Sequence, residues 1–167
     1  MPDFEMVYRR YFQTVYRYLL SLCRDAALAE EITQAAFFKA LKKIGTFRED
    51  CAVESWLIGI ARNLYFDHCR RQKHRKAEPL QAELADHTAE LSPEAIFCQS
   101  ETAGIFHRLL HALPEPYKEV FMLRVYGEMR FAAIAGLFHK TESWARVTYY
   151  RAKEKLQSKI REEQTHE

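Results

Sequence analysis

The chain lacks most of the features that mark other protein classes, and each absence removes a reading. Its 167 residues hold only five Gly and five Pro, with few runs of β-branched residues. That disfavours a fibre, a low-complexity chain or a turn-rich β-sandwich, and favours an all-helical fold. No apolar run approaches the ~20 residues needed to span a bilayer. The opening MPDFEMVYRRYF carries Asp3 and Glu5 and lacks the basic-then-apolar order of a signal peptide, so a cytoplasmic location is expected. Four cysteines (Cys23, Cys51, Cys69, Cys98) are widely spaced with no CxxC, as expected of plain thiols in a reducing compartment. A metal site built on Cys69 with His68 and His74 lacks a second ligand pair at zinc-finger spacing. No metal and no cofactor are therefore expected. Catalytic signatures are missing too. No His pair sits at metal spacing with a carboxylate, no Gly-rich phosphate loop occurs, and no nucleophile has an evident base, so an enzyme such as a nuclease or recombinase fragment is not expected.

What is present is segregated charge. The net charge of +2 conceals blocks of opposite sign. Residues 62–76 carry six cations against Asp67, and residues 140–161 carry seven cations against Glu142 and Glu154. Between them residues 77–101 hold six acids and no Lys or Arg. A single charge run is usually a solvated face. Two basic blocks, each closing an amphipathic helix, point instead to a polyanion bound at two places. Binding of that kind releases counterions and weakens steeply with salt.

Apolar periodicity gives the organisation. Phe4, Val7, Tyr8, Tyr11, Phe12, Val15, Leu19 and Leu22 recur at three- and four-residue steps, the pattern of a helix with one buried stripe. A second helix is predicted from Ala26 to Ile44, ended by Gly45 as a C-cap. After the loop TFREDCAV a third helix places Leu57, Ile60, Ala61, Leu64 and His68 on one face and ends in Arg70, Arg71, Lys73, Arg75 and Lys76. The acidic stretch AEPLQAELADHTAELS reads as a flexible linker. Ser92 and Pro93 then suit the cap and first position of a new helix. The expected fold is all-α: two small helical domains at residues 1–76 and 93–161, joined by an acidic linker at 77–92 and followed by an acidic tail at 162–167.

The second domain carries the strongest local pattern. Pro116 starts a helix with Val120, Phe121, Leu123 and Val125, and Gly127 stops it. A short helix from Phe131 to Phe138 follows, with Ile134 and Leu137 inward and small Ala133, Ala135 and Gly136 allowing close packing. HKTES is the turn, in which Thr141 can cap the last helix. There Ala145, Tyr149, Ala152 and Leu156 form the buried seam, leaving Ser143, Arg146, Tyr150, Arg151 and Lys153 on or beside the outer face. Short helix, turn and long basic helix in that order make a helix-turn-helix, whose last helix fits the major groove. Trp144 reads either as a core anchor or as a groove-edge contact.

Four ordered motifs then make a larger pattern: AEEITQAAFFKA at 29–40, WLIGIARNLYFDHCRR at 56–71, LPEPYKEVFMLR at 113–124 and YRAKEKL at 150–156. Over nearly its full length the chain resembles a bacterial RNA polymerase sigma factor of the extracytoplasmic-function branch. The resemblance implies an alternative sigma factor that binds core RNA polymerase and recognises promoter DNA at its −10 and −35 elements, held by a membrane-linked anti-sigma factor. It assigns Glu31, Gln34 and Phe37 to docking on the polymerase large subunit. From the residues alone, Glu31 and Gln34 read as solvent-facing helix positions and Phe37 as core. It assigns Arg62, Asn63, Asp67, Arg70, Arg71 and Lys73 to the −10 element, with the loop from Thr46 to Val53 taking a flipped base. Trp56 reads as a contributor there or as core. Ser143, Arg146, Tyr150, Arg151 and Lys153 are assigned to the −35 element. The linker's charge suits either mimicry of nucleic acid in a basic polymerase channel or simple solubility.

The chain departs from the family pattern at Thr148, where an Arg commonly touches DNA, and at Trp144, Ala133 and Glu31, which replace Thr, Glu and Asp. A stand-alone helix-turn-helix regulator is the competing reading. It accounts for residues 113–160 but leaves the basic helix of the first domain and AEEITQAAF without a purpose.

Overall fold

The computed structural model describes residues 3–47, 52–77 and 101–165 and contains, among these, seven α-helices, one 3-10 turn and no strand. The helices are α1 (Phe4–Cys23), α2 (Ala26–Lys43), α3 (Val53–Ala77), α4 (Glu101–His111), α5 (Tyr117–Val125), α6 (Phe131–Phe138) and α7 (Glu142–Thr165). They form two compact units, residues 1–90 and 91–167. Ala77, the first residue of the predicted linker, ends α3, and the rest of the linker, with Ser92 and Pro93, lies outside the described residues.

The first unit is a three-helix bundle set by its caps. The carboxylate of Asp3 accepts the Glu5 N–H at 3.1 Å to open α1, and Arg24 closes it in the left-handed region at φ 55°. Asp25 follows at once and accepts the Leu28 N–H at 3.1 Å, so α2 starts only two residues after α1 stops. So short a link folds the two helices back on each other. Small Ala29, Ala36 and Ala40 on α2 are buried with Ile32, as are Val15, Tyr18 and Leu19 of α1, and the Phe37 ring packs among Phe4, Tyr8 and Phe12. Leu57, Ile58 and Ala61 bring α3 onto this pair. The predicted stripe of α1 is therefore largely right, with Tyr18 joining the core and Tyr8 left exposed. Gly45 is not a left-handed cap. No described glycine has positive φ, and α2 runs on into the 3-10 turn Ile44–Thr46, which Thr46 fastens by donating to the Lys43 carbonyl at 2.8 Å.

In the second unit Leu109, Leu110, Leu113, Val120, Met122, Leu123, Met129, Ile134, Ala145, Ala152 and Leu156 make the core. Gly127 ends α5 because a side chain there has no room: a Cβ would lie 2.8 Å from the Leu123 carbonyl oxygen. The left-handed turn falls on Glu128 instead, at φ 52°. Val125, in the last turn of α5, points to solvent. The eight residues of α6 are too few for a helix that stands alone, so Ile134 and Ala135, both buried, hold it in place. Gly136 is exposed with open space around it and is not a close-packing position. His139 caps α6 in the left-handed region, and the Lys140 N–H donates to the Ala135 carbonyl at 3.0 Å. Thr141 then accepts the Trp144 N–H at 3.2 Å, as the sequence predicts, and α7 begins.

Candidate functional site

Three surfaces carry the expected functional residues. On α2, Glu31 and Gln34 are exposed, with the Gln34 amide donating to Glu30 at 3.3 Å. Phe37 is not on that surface. It is 2% exposed, its ring enclosed by Phe4, Tyr8 and Phe12 at centroid distances of 6.3, 5.0 and 5.8 Å. A ring so enclosed cannot serve as a contact, and the residue-level reading of Phe37 as core is the correct one. The apolar part of the outer face is supplied by Phe38, 61% exposed, and Leu41, 47% exposed. With Glu31 and Gln34 they follow steps of three, four and three, one continuous strip along the helix. Nothing in their composition had flagged them. Their signal is that two large apolar side chains sit outside a helix whose inner face is already full.

On α3, Arg62, Asn63, Phe66, Cys69, Arg70 and Lys73 line one shallow groove. The Arg62 guanidinium lies over the Phe66 ring, 5.1 Å from its centroid, and Phe66 meets Tyr65 edge-on at 5.4 Å. Asp67 forms an ion pair with Arg70 one turn along, so its carboxylate steadies that cation. Arg70, Arg71 and Lys73 are exposed, in a run of cations at the helix end where the helix dipole favours positive charge. Phe66 was not singled out by sequence reasoning, although its four-residue spacing from Arg62 was the available signal. A cationic track beside an aromatic ring is what an unstacked nucleic-acid strand requires. Behind the groove, the Tyr65 hydroxyl donates to the Leu22 carbonyl at 3.5 Å. Burial, with help from the Cys69 thiol, pushes the Tyr65 hydroxyl well above the usual phenol range. Burial likewise raises the Cys23 thiol above its ordinary value of 9.0. Trp56 is half-buried against Phe47 at 4.9 Å; residues 48–51 of the adjoining loop lie outside the described residues.

On α7, Ser143, Arg146, Tyr150, Arg151 and Lys153 are all exposed. Arg146 is held from two sides, by Glu142 at 2.8 Å and by the Phe131 ring at 5.4 Å, while Arg124 approaches the same ring at 4.5 Å. Phe131 at the start of α6 thus serves as the platform on which Arg146 rests. Trp144 is half-buried on Phe138 at 5.2 Å. Thr148 is only 5% exposed and belongs to the seam with Ala145, Ala152 and Leu156, while Tyr149 is half-buried. Thr148 therefore presents no group to the outer face of this helix. The residue beside it, Val147, does occupy that face.

Comparison with known proteins follows the same division. The Sigma-70 region 2 family matches residues 7–75, and Sigma-70, region 4 matches residues 103–156. A probable RNA polymerase sigma factor of Haemophilus influenzae is 30% identical over 153 residues, which is 80% of this chain and 77% of that one. The extracytoplasmic-function (ECF) RNA polymerase sigma factor SigM of Bacillus subtilis is 26% identical over 152 residues, 91% of both chains. The chain belongs to the extracytoplasmic-function sigma factors. In fold it is similar to the sigma factor RpoE of Bartonella quintana, solved with the anti-sigma factor NepR: TM-score 0.73, 19% identity, 96% of this chain and 98% of that one. The first unit, with α2 and α3, is thus the region 2 part of a sigma factor, and the second, with the helix-turn-helix, is the region 4 part. Such a factor works with core RNA polymerase on promoter DNA. A stand-alone regulator has no use for a region 2 fold, and that reading is not favoured.

Proposed function

We propose that three helix faces divide the work of promoter-specific initiation. The outer strip of α2 (Glu31, Gln34, Phe38, Leu41) docks on core polymerase. The α3 groove and basic end (Arg62, Asn63, Arg70, Arg71, Lys73, with Asp67 steadying Arg70) track and stack the opened −10 strand. The outer face of α7 (Ser143, Arg146, Tyr150, Arg151, Lys153) enters the −35 major groove, its first turns toward base edges and its later cations toward phosphates. Residues 1–76 and 93–161 are the working domains, and the acidic stretch 77–92 links them. The chain performs no chemistry of its own; phosphodiester formation belongs to the polymerase.

One observation carries the reading: each family-matched unit presents, along a long helix, an exposed cationic face that its own core does not use. An anti-sigma partner is part of the proposal, because the RpoE of Bartonella quintana was solved with NepR and a second similar fold, CnrH, with the cytosolic domain of CnrY. Among the described residues no helix is long and apolar enough to cross a membrane. Size-exclusion chromatography with core polymerase tests the docking directly. Co-migration is expected, with loss on Gln34→Ala plus Leu41→Ala. A chain that binds promoter DNA but never joins core polymerase would overturn the reading.

A further inference from the structure

Opposite the buried seam of α7 runs a line of side chains at steps of four, three and four: Ser143, Val147, Tyr150 and Glu154, all exposed. Two members of this line are apolar. Val147 is 47% exposed and Tyr150 is 53% exposed, in a helix whose other outward residues are mostly charged or polar. Stability does not account for Val147. On an exposed helical face a β-branched residue is less favourable than Ala, Lys or Glu, and the core behind it is already closed by Thr148. The flanks are cationic, with Arg146 and Lys153 on one side and Arg151 on the other. Duplex DNA is the partner such flanks suit, and a helix bearing them is placed with its centre line facing the groove floor.

The major-groove floor offers hydrogen-bond donors and acceptors at every base pair, and a single kind of apolar group, the C5 methyl of thymine. Tyr150 stands three residues on, about 4.5 Å further along the axis, its ring braced by Tyr149 at 5.4 Å. It closes one end of the strip and leaves the Val147 methyl groups as the free apolar contact. We infer that Val147 is a specificity-determining residue of the −35 contact: it selects thymine at one base step by packing on the C5 methyl group. The inference rests on the placing of α7 in the −35 groove proposed above. It also explains how a helix with Thr148 turned inward keeps a base preference: the reader is one residue earlier.

The test is a selection with holoenzyme made from the full chain and core polymerase, on duplexes randomised across the −35 region. One library contains thymine and a second contains deoxyuridine in its place, which keeps every hydrogen-bonding group and removes only the methyl. Burying one methyl group corresponds to about fourfold in affinity. The thymine library should therefore show one position where T is enriched about fourfold beyond its deoxyuridine counterpart. The variant V147A, no less stable in thermal melting because the residue is exposed and Ala favours the helix, should lose that difference while keeping the preferences at neighbouring positions. Equal enrichment of thymine and deoxyuridine at every position would overturn the proposal, as would a methyl dependence that survives V147A. If no −35 position is enriched by the unaltered protein, the placing of α7 in the groove fails, and this inference falls with it.

Discussion

Phe37 and Phe38 are neighbours of identical chemistry with opposite tasks. Phe37 is enclosed by three rings of α1, so Phe37→Ala leaves a cavity and should destabilise the first unit by about 3–5 kcal/mol, read from urea unfolding. Phe38→Ala and Leu41→Ala remove exposed groups, so stability should stay within about 0.5 kcal/mol while affinity for core polymerase falls. If Phe38→Ala unfolds the domain or leaves affinity intact, the outer strip of α2 is misplaced. Arg146 makes a similar case by magnitude. Its exposed pair with Glu142 is worth about 0.3–0.5 kcal/mol, less than the roughly 1–3 kcal/mol of a bidentate base contact, so DNA can draw it away. Arg146→Ala or Arg151→Ala should weaken −35 protection by about 1–3 kcal/mol each in a footprint at fixed salt, if they touch bases. Unchanged protection would remove them from the interface. The Cys23 thiol, raised above 9.0 by burial, is stabilised in its neutral form by folding. Its contribution to stability is complete below pH 9.0 and is lost as the pH rises through the higher folded value. Alkylation of Cys23 at neutral pH should accordingly be slow in the folded protein and fast in urea.

At the level of elements, the helix-turn-helix depends on its turns. Gly127→Ala would press a methyl against the Leu123 carbonyl, 2.8 Å away, and since that atom is backbone, α5 must shift. A loss of about 1–3 kcal/mol is expected. Thr141→Ala removes the side-chain cap of α7 and should cost about 0.5–2 kcal/mol. Both are checked by thermal melting, and a neutral Gly127→Ala would mean the α5–α6 turn is looser than described. These elements were legible in the sequence to differing degrees. The bounds of α6 and the Thr141 cap follow from local chemistry, and both stand. Gly45 was misjudged because a glycine after a helix suggests a left-handed cap, whereas here the chain continues into a 3-10 turn with φ negative. Thr148 was left out of the predicted seam, and Val147 passed over, because the seam was counted from Ala145 in a step of four to Tyr149. A real α-helix buries a wider stripe, and Thr148, small enough to fit, fills it. Phe38, Leu41 and Phe66 escaped notice because apolar residues are assigned inward by default. Only the packing shows that the inner faces were already occupied.

For the whole molecule, the blocks of charge set the behaviour. Two cationic helix faces, one in each unit, should give promoter binding by holoenzyme a steep salt dependence. Replacing Lys153 by Ala should weaken binding evenly across promoter sequences and lower the log–log salt slope by about one unit, the signature of a single lost phosphate contact. A change in sequence preference instead would make Lys153 a base reader. The segregation of charge was visible in the sequence. The proposed division of labour among α2, α3 and α7 came from the family resemblance, and which face each helix turns outward was visible only in the packing. The central claim is that the two units act together, through core polymerase, to start transcription at a defined promoter. Run-off transcription with core polymerase, this chain and a library of bacterial promoter fragments tests it most directly. Transcripts from discrete start sites, each spaced downstream of a shared pair of sequence elements and absent without the chain, are the predicted result. Transcription that is unchanged or only repressed when the chain is added would contradict it.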